Sequence, residues 1–236
     1  MNQGLCILIT GWNNKENPTE TNVVNQWPRE ARNMFVISIR ESRLQSFEER
    51  LGSLCKYLTI VDGVNGTTLD PNKLIKQHIY KPLNKWNNLT RGELGCFLSH
   101  RAVWQQVVQK KIPYALIMED DCVLYPNTIV LTQLKKVLGE LQVGDPNWKI
   151  LFVSRNAQIA ETLKKITPNI VKPGRTWGLF CYIVSLQGAT ELLAQSTTLR
   201  MAADIFVSTT KISGRYACEP MLCTVNKEHS DTVDIK

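Results

Sequence analysis

Short apolar runs alternate with amphipathic segments along most of this chain. Met34–Ile39 and Tyr57–Val61 are compact apolar stretches that read as strands, the second stopped by Asp62-Gly63. Between them, Ser42–Leu54 carries helical spacing. Gly63–Thr90 is mostly loop-like, with helical content near Asn72–Gln77. Thr90-Arg91-Gly92-Glu93 forms a capping box. Beyond it Leu94, Phe97, Leu98, Trp104, Val107 and Val108 recur at helical intervals toward Gln109. Tyr114–Met118, Ile150–Val153, Phe180–Val184 and Tyr216–Cys218 read as further strands. Thr128–Leu141 and Gln187–Gln195 read as helices, and a short helix follows Asp204. This alternation predicts an α/β fold with a mostly parallel central sheet flanked by helices. Residues 1–33 depart from the pattern. There, one apolar stretch, Leu5–Ile9, precedes an asparagine-rich segment, which predicts an appended strand or arm ahead of a single domain over 34–236.

The strand ending at Met118 runs directly into Glu119-Asp120-Asp121. A strand leaving a sheet core delivers its last residues to the carboxyl edge, where open α/β sheets bind ligands. Three adjacent carboxylates repel one another, and nothing in folding requires them. A divalent cation relieves the repulsion, and carboxylate oxygens suit Mg²⁺ or Mn²⁺, which in turn can clamp a diphosphate. An acidic turn capping the next helix is the plainer reading, and the tripeptide alone does not choose between the two.

Other residues carry weaker signals. Arg40 and Arg43 follow the first core strand, where a nucleotide often enters such a sheet. Guanidinium groups suit phosphate oxygens and the face of a base, although a solvated helix start fits the same residues. Asp62 ends the second strand, where an acid can meet a ribose or base edge or can simply begin a turn. Ser99 and His100 form a polar pair on a strongly apolar helix, and a histidine satisfied at a helix boundary is the commoner case. Asp204 is a lone acid in Met201-Ala202-Ala203-Asp204-Ile205-Phe206. Burial without a partner would raise its pKa and suit it to act as a general base, while the same acid is also typical of a helix N-cap.

Composition narrows the classes. At 236 residues and 43% hydrophobic, the chain can build a substantial core. No apolar run is long enough for a transmembrane helix. The first ten residues lack a basic region and a long apolar segment, so they are not expected to be a secretory leader; either the chain stays inside the cell that makes it, the expected location being cytoplasmic with any membrane contact peripheral, or a leader has been removed ahead of it. A net charge of +7 suits an anionic small molecule or membrane surface. No dense basic helix or stacking motif points to nucleic acid. The seven cysteines include no C-x-x-C pair, which argues against a structural zinc site and for reduced thiols. Asn65-Gly66-Thr67 and Asn88-Leu89-Thr90 match a glycosylation acceptor that matters only in a secreted chain.

Together these segments resemble glycosyltransferase family 25. The block from Leu89 to His100 is close to the family's most distinctive stretch, and Leu116–Asp121 matches its acidic metal motif. Phe35–Arg43, Val61-Asp62-Gly63, Trp148–Arg155, Trp177–Ala189 and Met201–Phe206 follow in the family's order, and His229-Ser230-Asp231 resembles its serine-containing tail. Before Asp204 this chain has Ala202-Ala203, where many relatives have proline or valine. The resemblance implies a GT-A-like fold and inverting transfer of a hexose, most often galactose, from a UDP-sugar to a hydroxyl of a glycan or a hydroxylysine-like residue. It implies Mn²⁺, or Mg²⁺, held by Asp121 with Glu119 or Asp120, and a donor pocket drawing on Arg40, Arg43, Asp62, Ser99 and His100. Asp204 becomes the expected base. A metal-dependent nucleotidyltransferase and a non-catalytic carbohydrate-binding module are the alternatives.

Overall fold

A computed structural model of the chain describes residues 20–83, 88–156 and 164–226. In order, the elements are α1 (Glu20–Gln26), β1 (Met34–Ser38), α2 (Glu41–Leu51), β2 (Leu58–Asp62), α3 (Pro71–Lys76), α4 (Arg91–Gln109), β3 (Tyr114–Glu119), β4 (Cys122–Leu124) and α5 (Asn127–Gly144). They continue as β5 (Ile150–Phe152), β6 (Lys164–Lys165), β7 (Ile170–Lys172), β8 (Cys181–Ser185), α6 (Leu186–Gln195), α7 (Ala203–Thr209), β9 (Arg215–Cys218) and β10 (Cys223–Val225). Eight strands form one sheet in the order β2-β1-β3-β8-β5-β9-β7-β6, and β4 pairs with β10 apart from it.

The fold is α/β, with helices against both faces of this sheet. β1 runs parallel to β2 and β3, as helical crossovers require. β8 enters antiparallel between β3 and β5, and the far edge combines a parallel β5–β9 pair with antiparallel β7 and β6. β6 and β7 are joined by a short loop, and a strand reached that way runs back along its neighbour.

Period-two alternation divides each central strand between two cores. Met34 and Val36 of β1, Leu116 and Met118 of β3, and Cys181 and Ile183 of β8 face the helices α1, α2 and α5. Phe35 and Ile37, Ala115 and Ile117, and Tyr182 and Val184 face α4, α6 and α7. Burial on both faces explains why these strands read as unbroken apolar runs. Of the expected amino-terminal arm, residues 1–19, including Leu5–Ile9, lie outside the described residues. The remainder packs into the first core through Val23, Val24, Trp27 and Ala31. Its alternating asparagines conceal that amphipathic turn. The capping box forms as expected: the Glu93 N–H donates to Thr90 Oγ1 at 3.1 Å, and the Thr90 N–H donates to Glu93 at 2.7 Å.

Candidate active site

β1 and β3 lie side by side and parallel, so their carboxyl ends emerge together. The Asp120 N–H continues the ladder to the Ile37 carbonyl at 3.2 Å, and the Glu119 N–H bonds the Phe180 carbonyl beside it at 3.0 Å. A cleft of about 300 Å³ opens at this edge. Ile37–Arg40 and Arg43 form one wall, the loop Val64–Thr67 another, and the face of α4 bearing Gly92, Cys96, Ser99 and His100 a third; Glu119, Asp120 and Asp121 close it.

The three acids have different surroundings. Asp120 is buried; it accepts from the Ser38 hydroxyl at 2.6 Å and faces the Arg43 guanidinium at 3.5 Å. Glu119 meets His100 Nε2 at 3.0 Å. Asp121 has a buried Oδ1 with no hydrogen-bond partner. Desolvation, then the charges of Glu119 and Asp120, push its carboxyl up to about 7, against a smaller opposing pull from Arg43. An orphaned carboxylate oxygen beside two other acids is a fit for a divalent cation. Glu119 and Asp121 are the residues that could hold one.

Ser99 and His100 both face this cleft, and both are buried. Ser99 accepts from the Val64 N–H at 2.8 Å and donates to the Gly95 carbonyl at 2.7 Å. That bond seats the loop after β2 on α4. Backbone meets backbone there: a Cβ on Gly66 would lie 2.3 Å from the Arg91 carbonyl oxygen, and one on Gly95 would lie 2.4 Å from that of Val64. Both positions therefore exclude a side chain. On its other side, His100 Nδ1 meets the Tyr182 hydroxyl at 3.1 Å. The Cys96 thiol, nearby on α4, is pushed well above its usual range by burial and then by the charges of Glu119, Asp204 and Asp121.

Arg40 and Arg43 stand where expected. They also line a second depression of about 280 Å³ on the other side of Asp120 and Asp121, together with Ser42, Ser46, Arg50 and Asn226. The acids therefore stand against a basic flank. Asp62 ends β2 in register with Ser38, but it is exposed and does not line the cleft. The loop that follows it does. Asn65, Gly66 and Thr67 were visible in the sequence only as a glycosylation triplet. A glycine between polar residues gives no local sign of backbone contact with a helix that begins much further along the chain.

Asp204 lies in the first turn of α7, half-buried and outside the cleft lining. Its Oδ2 accepts from the Gly178 N–H at 2.9 Å and its Oδ1 from the Ile205 N–H at 2.7 Å. Gly178 has φ +80°, and Asp204 pins that turn. The charge of Asp204 nevertheless reaches Cys96 in the cleft wall. His229-Ser230-Asp231 lies outside the described residues.

Residues 31–207 match the profile of glycosyltransferase family 25, described as an LPS biosynthesis protein. The chain belongs to glycosyltransferase family 25. Procollagen galactosyltransferase 1 of Danio rerio is 29% identical over 168 residues, covering 69% of this chain and 27% of that protein. Procollagen galactosyltransferase 2 of Homo sapiens is 29% identical over 142 residues, 57% and 22% of the two chains. Inactive glycosyltransferase 25 family member 3 of Mus musculus is 29% identical over 180 residues, 71% and 30%. The chain thus spans less than a third of the length of these relatives. Among solved structures, mannose-1-phosphate geranyltransferase from Thermus thermophilus aligns with a TM-score of 0.44 and 8% identity, over 80% of this chain and 73% of that one. The family match takes in β1, the Leu89–His100 block, the acidic triad and Asp204.

Proposed function

We propose that this family member transfers a hexose, galactose by preference, from a UDP-sugar to an acceptor hydroxyl with inversion, on a GT-A-like fold. The observation that carries the reading is the unpartnered, buried Oδ1 of Asp121 beside Glu119 and Asp120, in a cleft that also presents Arg40 and Arg43. A site that favours both a cation and an anion suits a metal-bound diphosphate. Asp121 and Glu119 would hold Mn²⁺, which would supply neutralisation of the charge that builds on departing UDP.

The chain's own residues do the rest. Arg40 and Arg43 offer guanidinium donors to phosphate oxygens. The end of β1 and the loop 64–67 offer backbone and polar groups for the nucleoside. Ser99 holds that loop, and His100 orients Glu119. Asp204 is the proposed base toward the acceptor. Each of its oxygens accepts one N–H, and a carboxylate oxygen keeps capacity for a further proton donor. The acceptor is a glycan or hydroxylysine-like hydroxyl. The name of the procollagen relatives supports the second, and the family's lipopolysaccharide description supports the first. Among the described residues no helix is long and apolar enough to cross a membrane, and we propose at most peripheral contact through the +7 surface.

One observation favours a non-catalytic reading: a relative of comparable similarity is named inactive. A panel of UDP-sugars incubated with Mn²⁺ and no acceptor separates the readings. Slow release of UDP from one donor is the expected result. In a parallel incubation with UTP and a hexose 1-phosphate, release of pyrophosphate would instead mark a nucleotidyltransferase. No release, with sugar still bound, would mark a binding module.

A further inference from the structure

Away from the cleft, Cys122, Cys181 and Cys223 bring their Sγ atoms within 4.8 Å of one another. They come from β4, β8 and β10, and all three are buried. Cys122 and Cys223 lie diagonally across the β4–β10 pair, in which Cys223 faces Leu124 and Cys122 faces Val225. Cys181 opens β8 in the main sheet, paired with Met118. No two of these residues share a local motif, so the absence of C-x-x-C spacing does not bear on them; the sheet assembles the set.

The spacing has a simple geometric reading. Three sulfurs bound to one ion at about 2.3 Å lie roughly 4 Å apart. The observed set, with every pair within 4.8 Å, is compatible with that spacing. No histidine or carboxylate joins the group among the described residues. Zn²⁺ prefers a fourth ligand, whereas soft thiolate sets select Cu⁺. The thiols also act on one another. Burial, with hydrogen bonds to its two neighbours, pushes the Cys181 thiol well above its usual range and Cys122 is raised with it, while, against its own burial, the hydrogen bonds of Cys122, Cys181 and Ser154 draw Cys223 well below.

We propose that Cys122, Cys181 and Cys223 form a three-thiolate site for a soft, closed-shell monovalent cation of the Cu⁺ class. On binding, the thiols release their protons to solvent, three sulfur–metal bonds form, and no electron is transferred. The ion ties the small β4–β10 sheet to β8. Because Cys122 directly follows Asp121, it also braces the chain immediately behind the acidic triad. Its role is structural.

The test uses the reduced full chain under oxygen-free conditions. Cu⁺ is supplied as its acetonitrile complex, the protein is desalted, and bound metal is counted by native mass spectrometry. One ion per chain is expected in wild type, Asp121→Asn, Cys55→Ser and Cys96→Ser, and loss is expected in Cys181→Ala and Cys223→Ser. Copper should also raise the melting temperature of wild type and not of the latter two. X-ray absorption on the loaded wild type should report three sulfur neighbours, which decides the matter if the cysteine variants do not fold. Equal retention in wild type and Cys223→Ser would overturn the site. So would preferential retention of Zn²⁺, or a fully reduced chain that takes up neither ion.

Discussion

Trp104 donates its indole N–H to the Tyr182 hydroxyl at 2.8 Å, and both side chains are fully buried. Tryptophan can only donate, so the tyrosine oxygen accepts there. The remaining tyrosine proton has His100 Nδ1 as its partner, at 3.1 Å. In the tautomer that satisfies all of these groups, Nδ1 accepts, the ring proton sits on Nε2, and Nε2–H points to Glu119 at 3.0 Å. A buried tyrosine, held in place by Trp104, thereby sets the orientation of an acid in the cleft through His100.

Tyr182→Phe removes the middle of that chain. It leaves the Trp104 N–H and His100 Nδ1 buried without partners, at a cost of about 1–3 kcal/mol for an orphaned group. Thermal melting should show the loss, and calorimetry should show weaker Mn²⁺ binding because Glu119 is no longer held. Trp104→Phe, which spares the bond between Tyr182 and His100, should lose stability while keeping most of the metal affinity. Unchanged metal affinity in folded Tyr182→Phe would detach Glu119 from the relay.

Asp121 gives the chain a pH-dependent stability of a definite sign. Its carboxyl is raised from 3.8 to about 7 in the folded state, so between those values the native protein holds a proton that the unfolded chain has lost. Stability contributed by that proton is present at low pH and declines as pH rises through 7. The penalty above pH 7 is of the order of a few kcal/mol. Asp121→Asn cannot ionise there. Without metal it should melt higher than wild type at pH 8, with the difference shrinking toward pH 4. Mn²⁺ should stabilise only the wild type at pH 8. A difference in melting temperature that ignores pH would show that the carboxyl is not destabilised where it stands.

Ser99 connects a loop to a helix by one hydroxyl. Ser99→Ala leaves the Val64 N–H without its acceptor, at a cost of about 1–3 kcal/mol if that group stays buried. The loop 63–68 can relieve this by lifting off α4. Hydrogen exchange should therefore accelerate at these amides, and affinity for UDP should fall while Mn²⁺ binding to the acids changes little. Unaltered exchange at Val64 would show that Gly66, pressed onto the Arg91 backbone, holds the loop unaided.

Legibility from sequence follows a physical division. β1 and β3 could be read because each is an unbroken apolar run, α4 because it carries its burial in a helical period, and the acidic triad because it ends such a run abruptly. The pairings of β4 with β10 and of β6 with β7 rest on segments of two or three residues, too short to carry a period. α1 hides because its buried positions, Val23 and Val24, are enclosed by polar neighbours. Within the site, Arg40, Arg43, Ser99, His100 and the three acids meet at one cleft. The same reasoning misses the loop 64–67, whose place depends on two glycines that allow backbone contact across a gap of many residues. It also names Asp62, whose β2 is the sheet edge and leaves its last side chain in solvent.

Asp204 brings two roles into competition. As the base it would take the acceptor proton, so Asp204→Asn should abolish transfer while UDP-sugar affinity stays near wild type; turnover is lost without the ground state, the pattern of an interaction used in the transition state. As an anchor it holds the Gly178 N–H at 2.9 Å and stands in the first turn of α7. An asparagine oxygen can keep one such bond, so a purely anchoring Asp204 predicts that Asn preserves both the melting temperature and turnover, whereas Ala loses both. The aromatic contact between Phe97 of α4 and Phe206 of α7, with ring centroids 5.1 Å apart, holds α7 in place in either variant. Loss of activity in Asp204→Asn therefore cannot be assigned to a displaced helix if its melting temperature is normal. The pH profile supplies the second readout: removal of the base should abolish the rising limb of kcat against pH, and loss of an anchor should lower the whole curve without changing its shape. Near-normal turnover in Asp204→Asn would pass the proton-accepting role to another group at the cleft, of which Glu119 and His100 are the first to replace.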